Sequence, residues 1–398
     1  MANRRYLIVL ASRVVAAVLS AIGFLLVARE TSPADFGYFS AWLAGVTVVI
    51  ALSDGGLQTY SLRRYASRDP DRTQGLVAMS LQRRATVAVS ATVALAASAV
   101  ILWADGPGWL LLMPAWQWAQ KETTGVLGIA LAEDRSLVQL VALTATRAGA
   151  LGAFAFAHYY FHIEAILSFV LGNLIATGIG LLALYAVNPR YRRVPERSSL
   201  QFWRAARPYW VASISAQVRS LDTALIALAA SPFQAGLFSL PSRLTGPMRL
   251  AATTLSTVAL PVASRGDKDE LRRLTQTLRL VTIIAAGGLG TLALFAEPII
   301  RLVVGDGYVG SVTPLRILII GLFLNIPGSF ISGVLQGTGA ERSIARLGVI
   351  LALCTIIGVP LAASIGGANG AALCLSLIYV MQLAAVTYLD RKRRQDNA

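Results

Sequence analysis

Seven basic side chains, Arg13, Lys121, Arg147, Arg219, Arg243, Arg249 and Arg316, fall inside long apolar runs of this chain, against three acids there, Asp54, Glu122 and Asp222. An ionisable side chain at the centre of a bilayer costs roughly 2.5–3.5 kcal/mol on insertion scales, so each marks a functional position unless something neutralises it. Three acids neutralise three bases at most, which leaves cations that need an anion. Six of the seven are arginines, whose planar fork grips two oxygens of a phosphate at once. The chemistry open to this set is therefore the binding of a phosphate-bearing ligand. Arg13, Lys121, Arg147, Arg219, Arg243 and Arg249 are the candidate anionic-head site, and Arg316 lies close enough to the outer surface to reach water. Counted inward from the outer edge, Asp222 and Arg243 share a level, and Arg13 and Asp54 sit nearer the inner side, so each couple is a candidate pair. Arg219 and Asp222, three residues apart, share one helix face. Asp222, Glu122 and Asp54 are the candidate gate or coupling acids.

The elements that must carry these residues are membrane helices. The chain has 398 residues, of which 56% are hydrophobic and only 14% charged, where a soluble protein carries about 25%. At about 20 residues per crossing, twelve spans can be placed: 6–27, 36–56, 85–104, 109–131, 136–157, 163–187, 208–230, 235–264, 278–296, 312–336, 343–364 and 368–389. Pro241, Gly246, Pro247 and Pro261 predict a kink or tilt in the eighth. With both termini inside, 26 Lys and Arg fall on the cytoplasmic side, counting Arg279 and Arg346 at the inner ends of their spans, against Arg29 and Arg301 outside. That asymmetry sets the orientation. It also accounts for the net charge of +15 without nucleic acid, because the basic residues flank apolar runs and no nucleic-acid-binding signature surrounds them. Outer loops are short, so no outer domain is available for chemistry. Trp103 and Trp109 bracket one outer turn, and Trp203, Tyr209 and Trp210 mark an inner edge. The N-terminal run lacks a cleavage site and reads as a retained first span.

A repeat organises the spans. Ser32-Pro33-Ala34-Asp35-Phe36-Gly37-Tyr38-Phe39-Ser40 returns as Ser231-Pro232-Phe233-Gln234-Ala235-Gly236-Leu237-Phe238-Ser239, an S-P-x-x-x-G-x-F-S pattern at an offset of 199 residues. Each copy is the outer turn between the first two spans of a half. The halves therefore run parallel. The expected fold is all-α and integral to the membrane, with about twelve transmembrane helices in two parallel-related six-helix lobes around a central cavity. The lobes are 1–187 and 208–398, joined by a basic cytoplasmic linker, 188–207.

Other motifs carry less. Gly305-Asp306-Gly307-Tyr308-Val309-Gly310 spells G-x-G-x-x-G, but in an outer loop with no strand before it. Lys121, Lys268 and Lys392, the only lysines, are not preceded by glycine, which excludes a Walker A loop. His158 and His162 have metal-compatible spacing but read as solvated interfacial histidines. Cys354 and Cys374 read as small apolar residues within the last two spans. No metal and no cofactor is expected.

Three stretches resemble the polysaccharide flippase family of the multidrug/oligosaccharidyl-lipid/polysaccharide exporter superfamily. The first is Ala28-Arg29-Glu30-Thr31-Ser32-Pro33-Ala34-Asp35-Phe36-Gly37-Tyr38. The second runs from Leu221-Asp222 through Gly236-Leu237-Phe238-Ser239 and Ser242-Arg243-Leu244 to Pro261. The third joins Val304-Gly305-Asp306-Gly307-Tyr308 to Thr313-Pro314-Leu315-Arg316-Ile317-Leu318. Their order along the chain is specific, although each is weak alone. The resemblance implies a non-enzymatic flippase in the bacterial plasma (inner) membrane. It would move an undecaprenyl-diphosphate-linked oligosaccharide from the inner to the outer leaflet by alternating access, for cell-surface polysaccharide biosynthesis such as lipopolysaccharide. Its partners would be the polyprenyl-diphosphate-linked oligosaccharide and membrane lipids, with glycan polymerase and assembly proteins as further candidates. Two rivals stand beside it. A cation-coupled multidrug antiporter of the same superfamily wants an acidic or aromatic cavity, against the basic surplus. A membrane glycan polymerase or ligase wants a large catalytic outer loop, and none is present.

Overall fold

The computed structural model describes residues 2–66, 71–133, 135–187, 200–246, 248–249, 263, 275–276, 282–283 and 286–396. Among these, every regular element is helical. In chain order they are α1 (Ala2–Arg29), α2 (Pro33–Leu52), α3 (Leu57–Ala66), α4 (Asp71–Ala104), α5 (Leu112–Ala132), α6 (Ser136–Ala155), α7 (Ala165–Val187), α8 (Leu200–Val218), α9 (Asp222–Ala229) and α10 (Pro232–Leu244). There follow α11 (Ala286–Leu294), α12 (Ala296–Val303), α13 (Val312–Gly337) and α14 (Glu341–Asp396). Seven described stretches are long and apolar enough to cross a membrane, or eight if α11 and α12, bent by 67°, count as one span. The protein is thus a multi-pass membrane protein.

The expected twelve spans differ from this set for identifiable reasons. The span expected over 109–131 is helical as α5 but too polar to pass on hydropathy, since it carries Gln117, Gln120, Lys121 and Glu122. That over 208–230 is interrupted by a 3₁₀ turn at Arg219–Leu221; α9 has only eight residues, and the 19-residue α8 carries Arg204 and Arg207 and is too polar to pass on hydropathy. The spans over 343–364 and 368–389 form one helical stretch interrupted at Gly367, whose φ of 56° and ψ of −138° leave the helix. Most of 245–285 lies outside the described residues. Of the expected linker 188–207, residues 188–199 also lie outside them, while the rest begins α8.

By internal contacts the chain forms two compact units. The first comprises Met1–Gly23 with Trp42–Ser220, and the second Phe24–Ala41 with Leu221–Ala398. In the first, an apolar core of Met79, Val126, Leu127, Ile129, Leu181 and Leu184 binds α4, α5 and α7 together. The turn between α2 and α3 needs two left-handed residues, Gly55 and Gly56, at φ 56° and 79°. There α8 docks closely. The Trp210 indole donates to the Leu52 carbonyl at 2.9 Å, the Arg63 guanidinium donates to the Tyr209 hydroxyl at 2.8 Å, and a Cβ on Gly56 would stand 2.4 Å from the Trp210 nitrogen.

In the second unit the repeated motif packs against its own copy. Ser32 caps α2 by accepting from the Asp35 amide at 3.2 Å, and Ser231 caps α10 by accepting from the Gln234 amide, also at 3.2 Å. Proline follows each cap at the first helical position, where its missing N–H costs nothing. The two helix starts then cross. A Cβ on Gly37 would lie 1.8 Å from the Pro232 carbonyl oxygen, and one on Gly236 would lie 1.8 Å from the Pro33 carbonyl oxygen. One turn on, Ser239 donates to Ser40 at 3.2 Å. Tyr308 seals this crossing, with its ring edge-on to Phe36 at 6.2 Å and its hydroxyl donating to the Thr31 carbonyl at 3.4 Å. Gln234 fills the break in α14, where its Oε1 accepts from the Ala368 amide at 2.8 Å.

Replacing Gly37 or Gly236 with Ala places a methyl inside a carbonyl oxygen, and overpacking of that kind costs about 1–3 kcal/mol. Either variant should therefore melt at a lower temperature in detergent. Gly45→Ala, where nothing lies within 4 Å, should melt at or above the parent temperature.

Candidate functional site

The polar side chains of the membrane helices fall into two groups, one in each unit. In the first unit Asp54 and Glu122 have basic partners, although Glu122 Oε2 has no hydrogen-bond partner among the described residues. Lys121 Nζ on α5 meets Asp54 Oδ2 at 2.7 Å, and Asp54 Oδ1 also accepts from the Gly56 amide at 2.8 Å. Asp54 therefore pairs with Lys121 rather than with Arg13, which is solvent- or lipid-exposed on α1. One residue on, Glu122 is 1% exposed. Its Oε1 accepts from Arg83 Nε at 2.7 Å, meets Arg83 Nη2 at 2.7 Å and accepts from the Tyr185 hydroxyl at 2.5 Å. The Arg83 guanidinium also lies 5.2 Å from the Tyr185 ring centroid. Arg147 on α6 has a neutral partner, donating to Asn173 Oδ1 at 3.3 Å.

Arg83 is the membrane-level charge that sequence reasoning missed. Its neighbour Arg84 and the preceding charges make 57–84 read as a solvated inner segment. The helix instead begins at Asp71, and that carries Arg83 to the level of Glu122.

In the second unit the charges are not matched. Asp222 opens α9 and is buried, with Oδ1 accepting from the Thr223 amide at 2.7 Å and from the Thr223 hydroxyl at 3.3 Å. Arg243, near the end of α10, packs its guanidinium over the Phe24 ring at 4.1 Å. Asp222 and Arg249 are both within its electrostatic reach. Arg249 in turn faces Asp222 and Tyr379. Its Nε and Nη2 are buried and have no hydrogen-bond partner among the described residues. Asp222 interacts electrostatically with both Arg243 and Arg249, but no ion pair joins it to either arginine among the described residues. Arg219 sits in the 3₁₀ break just before Asp222, and its side chain lies outside the described residues. Arg316 is exposed and donates to the Ala293 carbonyl at 3.0 Å, in keeping with a place near the surface.

Two guanidiniums around one carboxylate leave a surplus positive charge with unused donors. An unpaired buried ion is expensive, and an anion supplying two oxygens would satisfy Arg249 directly. Among the described residues no group of three His, Cys, Asp or Glu side chains is placed to hold a metal ion.

Residues 134–313 match the family model described as "Polysaccharide biosynthesis protein". No curated protein sequence matches the chain. Among solved structures, the lipid II flippase MurJ in its inward closed conformation aligns over 96% of this chain and 87% of its own, at 15% identity and a TM-score of 0.77. An inward-facing multidrug resistance MATE transporter of the MOP superfamily aligns over 96% and 94%, at 14% identity and a TM-score of 0.69. A MOP superfamily transporter from Pyrococcus furiosus, whose reversed pocket polarity suggests a different function for it, aligns over 97% and 93%, at 13% identity and a TM-score of 0.66. The resemblance read from three stretches of sequence is met: residues 134–313 match a polysaccharide biosynthesis family model, and the chain is similar in fold to the flippase MurJ and to MATE transporters.

Proposed function

We propose that the protein is a flippase for a polyprenyl-diphosphate-linked oligosaccharide. It moves this cargo from the inner to the outer leaflet of a bacterial plasma membrane, with both termini cytoplasmic. The observation that carries this reading is Arg249, whose buried Nε and Nη2 lack partners among the described residues, while Arg243 and Asp222 interact with it electrostatically. A diphosphate fits that surplus. Lys121 is already matched by Asp54 and contributes by holding α5. The cargo crosses by alternating access between two six-helix lobes, and no covalent bond is made or broken. Family membership of the 134–313 segment supports a glycan cargo, and the MurJ-like fold supports a lipid-linked one.

The MATE likeness keeps a cation-coupled drug antiporter as the second reading. A cationic drug would meet two guanidiniums beside an acid that is already hydrogen-bonded, so local charge opposes it.

Functional and structural charges should separate on substitution. Arg249→Met or Arg243→Met should abolish export of the surface glycan while the protein still reaches the membrane. The melting temperature of Arg249→Met should stay level or rise, because a buried charge without a partner is removed. Normal glycan export in both variants, or drug hypersensitivity with an intact surface glycan, overturns the reading. Lys121→Met strands Asp54 and should cost about 3 kcal/mol, seen as a lower melting temperature. Lys121→Met with Asp54→Asn should recover part of that loss.

A further inference from the structure

The outer end of α6 does not finish as a regular helix. Phe156–Tyr160 opens into a π-turn, and the chain then reverses through His162, a non-glycine residue at φ 53°. Both features are energetically disfavoured and recur where a protein has something to present. The turn is pinned from inside. His158 Nδ1 lies 2.8 Å from the Ile163 carbonyl, which also accepts from the Ser168 hydroxyl at 3.2 Å, and the His158 ring stacks on buried Phe154 at 5.6 Å.

What this turn presents is a set of rings. Phe156, Tyr159, Tyr160 and Phe161 are each more than half exposed. Phe156 and Tyr160 are parallel, with centroids 5.2 Å apart and planes 9° apart. Phe161 stands edge-on to both, at 5.2 Å and 5.1 Å. Side chains locked to one another in this way offer fixed aromatic faces at little further entropy cost. Interfacial anchoring explains them poorly. Anchoring favours Trp and Tyr, as lone, exposed Trp103 illustrates on α4, whereas half of this cluster is phenylalanine and the rings are mutually packed. An apolar face with hydroxyl and imidazole groups at its margin suits a ligand with an apolar face and a polar rim. A pyranose ring is such a ligand, with axial C–H bonds on one face and hydroxyls around its edge.

We infer that the Phe156–Tyr160–Phe161 cluster is a sugar-binding platform that stacks a pyranose ring of the glycan on the outward side of the protein. This rests on the glycan-transport reading, and the cluster lies within the segment matched to the polysaccharide biosynthesis family. It adds a contact for the sugar, separate from the arginines that face the diphosphate.

The test uses the full chain in lipid nanodiscs and saturation-transfer difference NMR with the methyl glycosides of glucose, galactose, N-acetylglucosamine and rhamnose. Saturation should reach the C–H protons of one ring face of at least one probe. Phe156→Leu with Tyr160→Leu, which keeps the apolar character and removes the rings, should lower that signal about fivefold, the scale of one aromatic contact. Trp103→Leu should leave it unchanged. Absence of transfer to all four probes, or equal transfer in the double variant, overturns the platform. So does a double variant that only inserts or melts less well, which is the signature of an anchor. Glycan export in cells reports separately on the transport reading. Export that persists without any sugar signal overturns the platform alone, and a ring-dependent sugar signal in a chain that exports no glycan overturns the transport reading alone.

Discussion

The cost of a charge away from water shapes this molecule more than any other term. Inside an apolar helix bundle an ion must find an opposite ion with further hydrogen bonds, or its desolvation stays uncompensated. In the first unit the rule is met twice on adjacent residues of α5: Lys121 finds Asp54, and Glu122 finds both Arg83 and Tyr185. These contacts draw α2, α4 and α7 onto α5, so a helix too polar to pass for a membrane span by hydropathy is held by its own polarity. In the second unit, Arg249 Nε and Nη2 find no hydrogen-bond partner among the described residues. In the proposed reading, the two Arg249 nitrogens without partners among the described residues are the place for an anionic ligand.

The position of that open site follows from the repeated motif. A short sequence used twice, Ser-Pro at the cap and Gly one turn in, makes a self-complementary contact, much as an isologous interface does between subunits. Each glycine meets the carbonyl of the other copy's proline, so the two helix starts are fixed to within a fraction of an ångström. Arg243 lies seven residues beyond Gly236, two helical turns down the same rod, on the side that meets Phe24 of α1. Local capping preferences thus set the crossing, and the crossing sets the depth of a guanidinium.

Much of this was legible in the residues. Long apolar runs and one-sided basic clusters imposed a helical membrane protein, and the 199-residue offset named the partners that cross at Gly37 and Gly236. The Asp222–Arg243 level match came from counting along the runs. The failures share one cause. Counting along a helix gives depth but not direction around its axis, so Asp54 was paired in expectation with Arg13, at its depth, when Lys121 is the residue facing it. Helix starts were similarly misread. Asp69-Pro70-Asp71 carries a helix-start signal, but the uncharged apolar run begins only after Arg84, and Arg83 was therefore counted among solvated charges. The break at Arg219–Leu221 has no proline or glycine nearby to announce it, because its cause is tertiary.

The fold alone does not choose between cargoes, since a lipid II flippase and multidrug transporters share it with this chain. Charge sign does. Arg243, Arg249 and Asp222 sum to one surplus positive charge. Two unit charges at roughly 6 Å interact by about 3 kcal/mol at an effective dielectric of 20, favourably for an anion and unfavourably for a cation. The difference between the two cargoes is then about twice that, several orders of magnitude in affinity from one unbalanced arginine. Diphosphate carries more than one negative charge and presents oxygens in pairs, so it gains both from the field and from the geometry of the guanidinium fork. A monovalent organic cation gains from neither, and the single carboxylate that might attract it already holds the Thr223 amide and hydroxyl.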